Sequence, residues 1–163
     1  MNRDLKNQKL TIHAMALLDD FMEVAKLAKI DMSSLSISVV ESPAPHELPP
    51  SLKNGDVAVY VFIWKGECLK VGKVGPKSHA RYISHHYNPS SSPSNLARSI
   101  LIDKDKMGLQ QMSEQNIGKW ISENVDRVNY VIHGTKTIPT LNLLEVFLQC
   151  RLTPRFEGFK SQR

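Results

Sequence analysis

The chain has 163 residues, of which 41% are hydrophobic and 23% are charged, and its formal net charge is +5. This length suits one domain, and the balance of apolar and charged residues excludes a disordered or fibrous chain. No apolar run reaches the roughly 18 residues that span a bilayer, so no membrane partner is expected. The polar N-terminus, MNRDLKNQKL, lacks the apolar core of a signal peptide, which predicts a cytoplasmic protein.

Residues 1–56 are predicted to form a helical N-terminal extension followed by a proline-rich linker. Apolar residues recur at spacings of three and four between positions 10 and 30, which is typical of an amphipathic helix. Residues 35–40, LSISVV, are typical of a short strand. Four prolines between positions 43 and 50 exclude a helix or a central strand, so this segment is the predicted linker.

Residues 57–163 are predicted to form an α+β core with a small three-stranded antiparallel sheet flanked by helices. Two apolar runs, 57–64 and 68–71, enclose Lys65-Gly66 and are typical of a β-hairpin. Residues 127–133 form the third predicted strand. Four helices are predicted in this core. The first spans residues 79–87 after a Ser78 cap, and the second spans residues 95–102. The third follows a Ser113 cap, and the fourth spans residues 140–152 with Thr140 as its cap. Residues 88–119 or so are predicted to be an insert in this core.

Several kinds of chemistry lack their sequence signature. The chain contains no GxxxxGK[ST], GxGxxG, GxSxG or HExxH motif, which argues against nucleotide binding, α/β-hydrolase chemistry and zinc proteolysis. Cys68 and Cys150 belong to no CxxC pattern, and two reduced thiols are expected rather than a disulfide or a zinc site. The mild positive charge permits a nucleic-acid partner without requiring one.

Glu145 is the only acidic residue between Arg127 and Arg155. On the predicted helix it shares a polar stripe with Asn142 and Gln149. A glutamate on a helix usually just faces water. A single carboxylate in a basic segment is also a reasonable anchor for Mg²⁺, which otherwise keeps water and phosphate ligands.

Arg81 and His85 are four residues apart and therefore share one face of the predicted helix 79–87. Arginine can hold a phosphate through two parallel hydrogen bonds, and histidine can orient or protonate a neighbouring group. A solvated basic helix face explains the pair equally well. His79 and His86 fall on other faces of this helix and are not predicted to take part.

Tyr60, Lys70 and Lys73 lie in or beside the predicted hairpin. A tyrosine in an apolar strand is either a core aromatic or a phenol held at the sheet surface to activate a water molecule. The two lysines flank Gly72, where each either extends to solvent or contacts an anion.

Residues 59–73, VYVFIWKGECLKVGK, followed by ARYISHH, resemble the GIY-YIG nuclease domain. Residues 59–61 stand for the first motif of that family and residues 70–72 for the second. Arg81, His85 and Glu145 match its arginine, histidine and glutamate. Lys70 stands where most members carry tyrosine, as it does in some GIY-YIG type II restriction endonucleases.

The resemblance implies a metal-dependent endonuclease that hydrolyses phosphodiester bonds, with DNA favoured over RNA. The implied catalytic residues are Tyr60, Lys70, Arg81, His85 and Glu145. Glu145 is expected to hold one Mg²⁺ or Mn²⁺ ion. Nucleic acid is expected to contact Lys73, Lys77 and Arg98, and a homodimer would let two sites cut both strands.

Two other functions stay open. The replacement of tyrosine by Lys70 is compatible with a nucleic-acid-binding module of the same fold that has lost catalysis. An interaction protein with no nucleic-acid contact is the third alternative.

Overall fold

The computed structural model describes the backbone of residues 3–76, 78–135 and 137–156, and their side chains except those of 3–12 and His79. This part of the chain is a mixed α+β fold, in which one four-stranded antiparallel sheet is flanked by helices. No helix in the described ranges has both the length and the apolar character needed to cross a membrane.

Helices and strands follow one another along the chain without a regular alternation. In chain order they are α1 (Arg3–Leu27), β1 (Leu35–Ser42), β2 (Val57–Trp64), β3 (Glu67–Val74), α2 (His79–Ile83), a 3₁₀ turn (His85–Tyr87), α3 (Leu96–Asp103), α4 (Ile117–Asn124), β4 (Asp126–Gly134) and α5 (Thr137–Leu152).

The strand order in the sheet is β1-β4-β2-β3, so the prediction of three strands was one short. The segment predicted as a strand at residues 35–40 is the additional edge strand of this sheet. It pairs with β4 from Leu35 opposite Gly134 to Ser42 opposite Arg127. The pairing partners lie almost a hundred residues apart, and no local pattern in β1 indicates which strand it joins.

The hairpin between β2 and β3 follows the prediction closely. Lys65 and Gly66 both have positive φ angles, 51° and 84°, as a tight hairpin turn requires. A register shift between Phe62 and Ile63 marks a bulge near that turn. Because antiparallel partners share a face, Tyr60 lies on the same side of the sheet as its partner Gly72.

Alternating residues of β2 place apolar side chains on both faces of the sheet. Val57, Val59 and Val61 pack with residues of α1, β4 and α5, among them Phe21 and Leu144. The opposite face carries Tyr60 and Phe62, which pack with α3, α4 and the segment around Phe156; the members from these helices are Leu96, Ala97, Ile100, Ile117 and Ile121. The sheet is therefore covered on both sides, which explains why β2 is almost entirely apolar.

The helix predicted over residues 79–87 is two short elements. Helix α2 ends at Ile83, Ser84 leaves the helical conformation with φ −127°, and a 3₁₀ turn follows. Ser78 stands at the N-cap position of α2, but its side chain makes no capping hydrogen bond. The prediction that Arg81 and His85 share one helical face was therefore wrong, because the helix ends between them.

Two other predicted caps were also wrong. Asn116, not Ser113, occupies the N-cap position of α4. Helix α5 begins at Thr137, so Thr140 lies inside it, and its buried hydroxyl has no hydrogen-bond partner in the described structure. Helix α3 is capped by Asn95, whose Oδ1 accepts from the Arg98 N–H at 2.7 Å.

Candidate active site

Tyr60 lies in the centre of the sheet, directly opposite Gly72 of β3. Its side chain is buried, with 1% exposure. A Cβ atom placed on Gly72 would overlap the phenol oxygen and the adjacent ring atoms of Tyr60. The glycine therefore leaves the space into which the tyrosine ring fits, which gives a physical reason for a glycine opposite a tyrosine in this hairpin.

The phenol of Tyr60 is subject to opposing electrostatic effects. Burial raises the pKa of Tyr60 to about 12, and the negative charge of Glu145 adds to this rise. The positive charges of Arg81 and Arg127 act in the opposite direction. Two of the predicted site residues, Arg81 and Glu145, therefore lie close enough for their charges to act on the Tyr60 phenol.

Lys70 lies opposite Phe62 and shares the Tyr60 face of the sheet. It is half-buried, and its Nζ donates to the carbonyl oxygen of Phe156 at 3.3 Å. Its positive charge also acts on His86. The structure therefore places Lys70 beside the tyrosine, with its ammonium held near the C-terminal end of the described chain.

Arg81 and His85 lie on either side of the break at Ser84. The guanidinium of Arg81 is exposed and donates from Nη2 to Ser94 Oγ at 3.4 Å. His85 is half-buried, and its backbone carbonyl accepts from Ser91 Oγ at 2.7 Å. The charges of both residues act on His86, which directly follows His85 in the chain.

Glu145 projects from α5, and its side chain is 17% exposed. Its Oε2 lies 2.8 Å from Lys73 Nζ, and the same ammonium donates to Asn142 Oδ1 at 2.8 Å. The predicted polar stripe of Asn142 and Glu145 is therefore present, but a lysine of β3 covers it. The residue predicted to hold a metal and one predicted to contact nucleic acid form an ion pair with each other.

The two remaining residues predicted to bind nucleic acid give less information. Arg98 is exposed on the first turn of α3. Lys77 lies outside the described residues.

A metal ion at this site would depend on Glu145. The described residues contain no group of three or more His, Cys, Asp or Glu side chains that could hold a metal ion. A half-buried hard carboxylate fits Mg²⁺ or Mn²⁺ if water and substrate oxygens complete the coordination.

His86 was not among the residues predicted from the sequence. Its side chain is buried and its ring lies against Tyr60, with the ring centroids 4.6 Å apart. Nδ1 accepts from the Leu96 N–H at 3.2 Å, whereas Nε2 is buried without a partner in the described structure. His86 was assigned to another face because residues 79–87 were treated as one continuous helix.

Arg127 of β4 was also missed. It is fully buried, and its hydrogen bonds go to neutral groups: Asn129 Oδ1 at 2.8 Å, the Tyr82 carbonyl oxygen at 2.7 Å and the Tyr87 hydroxyl at 3.4 Å. Its guanidinium carbon lies 5.7 Å from the centre of the Tyr60 ring. The only sequence signal was an arginine at the start of a predicted strand.

Comparison of the chain with protein-family models, with curated proteins and with solved structures finds no match in any of the three. The assignment of function consequently depends on the residues and geometry of the site itself.

Proposed function

We propose that the protein is a metal-dependent endonuclease that hydrolyses phosphodiester bonds in DNA, with a site of the GIY-YIG type. One observation carries this proposal. Tyr60 is packed on Gly72 in the centre of the hairpin, and the charges of Arg81 and Glu145 both act on its phenol. A buried phenol within reach of the charges of a cation and a carboxylate is the combination expected for proton transfer beside a phosphate.

In the proposed reaction each group has a separate task. Tyr60, as the phenolate, takes a proton from the attacking water, and the resulting hydroxide attacks phosphorus. The P–O bond to the leaving oxygen breaks, and that oxygen takes up a proton from solvent. Arg81 neutralises charge on the non-bridging oxygens. Lys70 stabilises the phenolate or orders the water, and His85 orients a phosphate oxygen. Glu145 would hold Mg²⁺ or Mn²⁺, and the ion would supply positive charge that stabilises the leaving oxygen.

The ion pair between Lys73 and Glu145 has a place in this scheme. In the free protein Lys73 forms an ion pair with Glu145, the carboxylate that would bind the metal. A nucleic-acid phosphate offers Lys73 another anionic partner, which would leave Glu145 free to hold the metal. Nucleic acid and metal are therefore expected to promote each other's binding.

The second candidate is a nucleic-acid-binding module of this fold without catalysis. It is favoured by the engagement of two proposed active-site groups with protein partners. Glu145 is paired with Lys73, and Lys70 donates to the Phe156 carbonyl oxygen. A module of this kind would bind nucleic acid through Arg81 and other cations and would not cleave it.

Incubation of the purified protein with plasmid DNA, and separately with RNA, in the presence of Mg²⁺ or Mn²⁺ distinguishes the two candidates. We expect cleavage of DNA, and we expect Glu145→Gln and Tyr60→Phe to reduce it at least a hundred-fold. Glu123→Gln, on the exposed end of α4, is the matched control and should cleave as the wild type does.

Three outcomes would contradict the nuclease proposal in different ways. Robust cleavage by Glu145→Gln would show that the site is wrongly assigned. Salt-sensitive binding without cleavage under either metal would favour the binding module. The absence of any salt-sensitive binding to DNA or RNA would favour an interaction protein. Sedimentation with and without DNA would show whether a homodimer forms.

A further inference from the structure

The two ring nitrogens of His86 have different environments. Nδ1 accepts a hydrogen bond from the backbone N–H of Leu96 at 3.2 Å. A nitrogen that accepts carries no proton, so the neutral ring bears its proton on Nε2. Nε2 is buried and has no hydrogen-bond partner among the described residues. His86 therefore holds a buried N–H donor that is unused in this state of the protein.

The charged groups that act on His86 are all basic. They are Lys70 from β3, Arg127 from β4, Arg81 from α2 and the adjacent His85. Burial first, and then these positive charges, hold the pKa of His86 well below its ordinary value of 6.5. The ring stays neutral around neutral pH, so the Nε2–H donor is present without a positive charge of its own.

The imidazole is in direct contact with Tyr60. The two ring centroids are 4.6 Å apart, and the ring planes are inclined at 58°. The phenol oxygen of Tyr60 also fills the space above Gly72. Tyr60 is thereby confined between the backbone of β3 and a ring that is anchored to the N-terminus of α3. Burial of a donor without an acceptor is unfavourable, so we expect Nε2–H to gain an acceptor in another state of the site.

We propose that His86 is a positioning residue for Tyr60, and that its Nε2–H donates a hydrogen bond to the Tyr60 oxygen when that oxygen is ionised. This inference rests on the proposed function, in which Tyr60 acts as a base. The phenol O–H bond breaks, the proton passes to solvent, and the negative charge stays on the oxygen. The phenolate then takes a proton from the attacking water, and the Tyr60 O–H bond is restored.

A matched pair of substitutions separates the donor from the anchor. His86→Asn retains an oxygen near the position of Nδ1 and can accept from Leu96, but it loses the Nε2–H donor. His86→Gln places an amide N–H near the position of Nε2 and loses the acceptor for Leu96. A purely structural role predicts that His86→Gln is the more damaging change, whereas the proposal predicts that His86→Asn is.

The first measurement is the ionisation of Tyr60 itself, without nucleic acid. Fluorotyrosine incorporated in place of tyrosine gives ¹⁹F resonances with a more acidic phenol, and Tyr60→Phe identifies the resonance of residue 60. We expect the pKa of this phenol to be higher in His86→Asn by about one pH unit, a ten-fold change in the ionisation constant. In His86→Gln it should stay close to the wild-type value. An unchanged value in His86→Asn, or the reverse order of the two variants, would overturn the proposal.

The second measurement is cleavage kinetics. We expect His86→Asn to lower kcat about ten-fold with little change in KM, and His86→Gln to retain most of the activity. If the two variants lose activity in proportion to their loss of thermal stability, the proposal is overturned. The two hypotheses can fail separately, because the titration requires no cleavage. If the wild type cuts nothing but the ionisation constants differ as expected, the proposed function fails and the role of His86 toward Tyr60 stands.

Discussion

Lys73 Nζ lies 2.8 Å from Glu145 Oε2, across the contact between β3 and α5. The two residues are far apart in the sequence, so their contact depends on the packing of α5 on β3. Each was predicted to bind a ligand of opposite charge. In the free protein each ligand would therefore have to replace an existing partner, which couples the two proposed binding events.

The first prediction concerns Mn²⁺ binding without nucleic acid. Lys73→Met removes the competitor of the metal, so we expect Mn²⁺ alone to bind more tightly than it binds the wild type. Exchange of a partly exposed ion pair is worth less than about 1 kcal/mol, so the expected gain is about two- to five-fold in Kd. Titration followed by electron paramagnetic resonance of free Mn²⁺ measures it.

The control for this prediction is Lys119→Met, which removes an exposed ion pair to Glu123 on α4. It should leave the affinity for Mn²⁺ unchanged. Equal or weaker Mn²⁺ binding by Lys73→Met would mean that Lys73 does not compete for the carboxylate. Glu145→Gln should abolish the difference between Lys73→Met and the wild type.

The second prediction concerns Gly72. The Cβ of Gly72→Ala would overlap the Tyr60 phenol, so either the ring or β3 must move. Overpacking of this kind costs about 1–3 kcal/mol, which lowers Tm by roughly 3–10 °C in a chain of this size. Gly75→Ala is the matched control, because a Cβ there meets no atom within 4 Å. Tyr60→Leu in the Gly72→Ala background should recover part of the loss. Thermal unfolding of the wild type, Gly72→Ala, Tyr60→Leu and the double variant measures this coupling.

The third prediction concerns stability in mild acid. The pKa of His86 is lowered in the folded protein, so below about pH 6.5 the unfolded chain binds one more proton than the folded chain at this residue. The free energy of unfolding should therefore fall as the pH drops, by up to about 1.4 kcal/mol per pH unit from this residue. Burial also lowers the pKa of His46, which adds to the effect in the same direction.

Urea unfolding of the wild type and of His86→Gln at pH 7.5, 6.5 and 5.5 measures this contribution. The loss of stability between pH 6.5 and 5.5 should be smaller in the variant. The same pH dependence in both proteins would show that His86 binds its proton equally in the folded and unfolded chain.

The fourth prediction concerns Arg127, which connects the sheet to α2 through the Tyr82 carbonyl oxygen. Arg127→Met would leave that carbonyl and Asn129 Oδ1 buried without their donor. We expect a loss of about 2 kcal/mol or more, and a fall in Tm of roughly 4 °C or more. Arg98→Met, at an exposed position, should melt as the wild type does. Equal Tm values for both variants would show that the buried guanidinium contributes no net stability.

The parts of the fold that follow from neighbouring residues could be predicted. The hairpin was evident because Lys65-Gly66 separates two apolar runs, and both turn residues do have positive φ angles. The helix containing Glu145 was predicted over residues 140–152, and α5 spans Thr137–Leu152. The number of strands was not, because β1 and β4 are brought together by pairing over a long sequence separation, which leaves no local signature.

The candidate site shows the same limit. The charges of Arg81 and Glu145 act on the Tyr60 phenol. The grouping of these residues into one catalytic site stays a prediction. The ion pair of Lys73 and Glu145 depends on how α5 packs on β3, which periodicity does not reveal. His86 was assigned to the wrong face because a helix was assumed to continue through Ser84, where the backbone changes conformation.

The strand order has a consequence for how the chain folds during synthesis. Strand β4 lies between β1 and β2, although both precede it in the sequence. Until residues 126–134 have left the ribosome, β1 lacks its neighbour in the described sheet and β2 lacks one of its two. Two strand edges then stay open while most of the chain already exists, and such edges are prone to pair with other chains. A premature stop before Asp126 should therefore yield aggregated protein rather than a smaller folded unit.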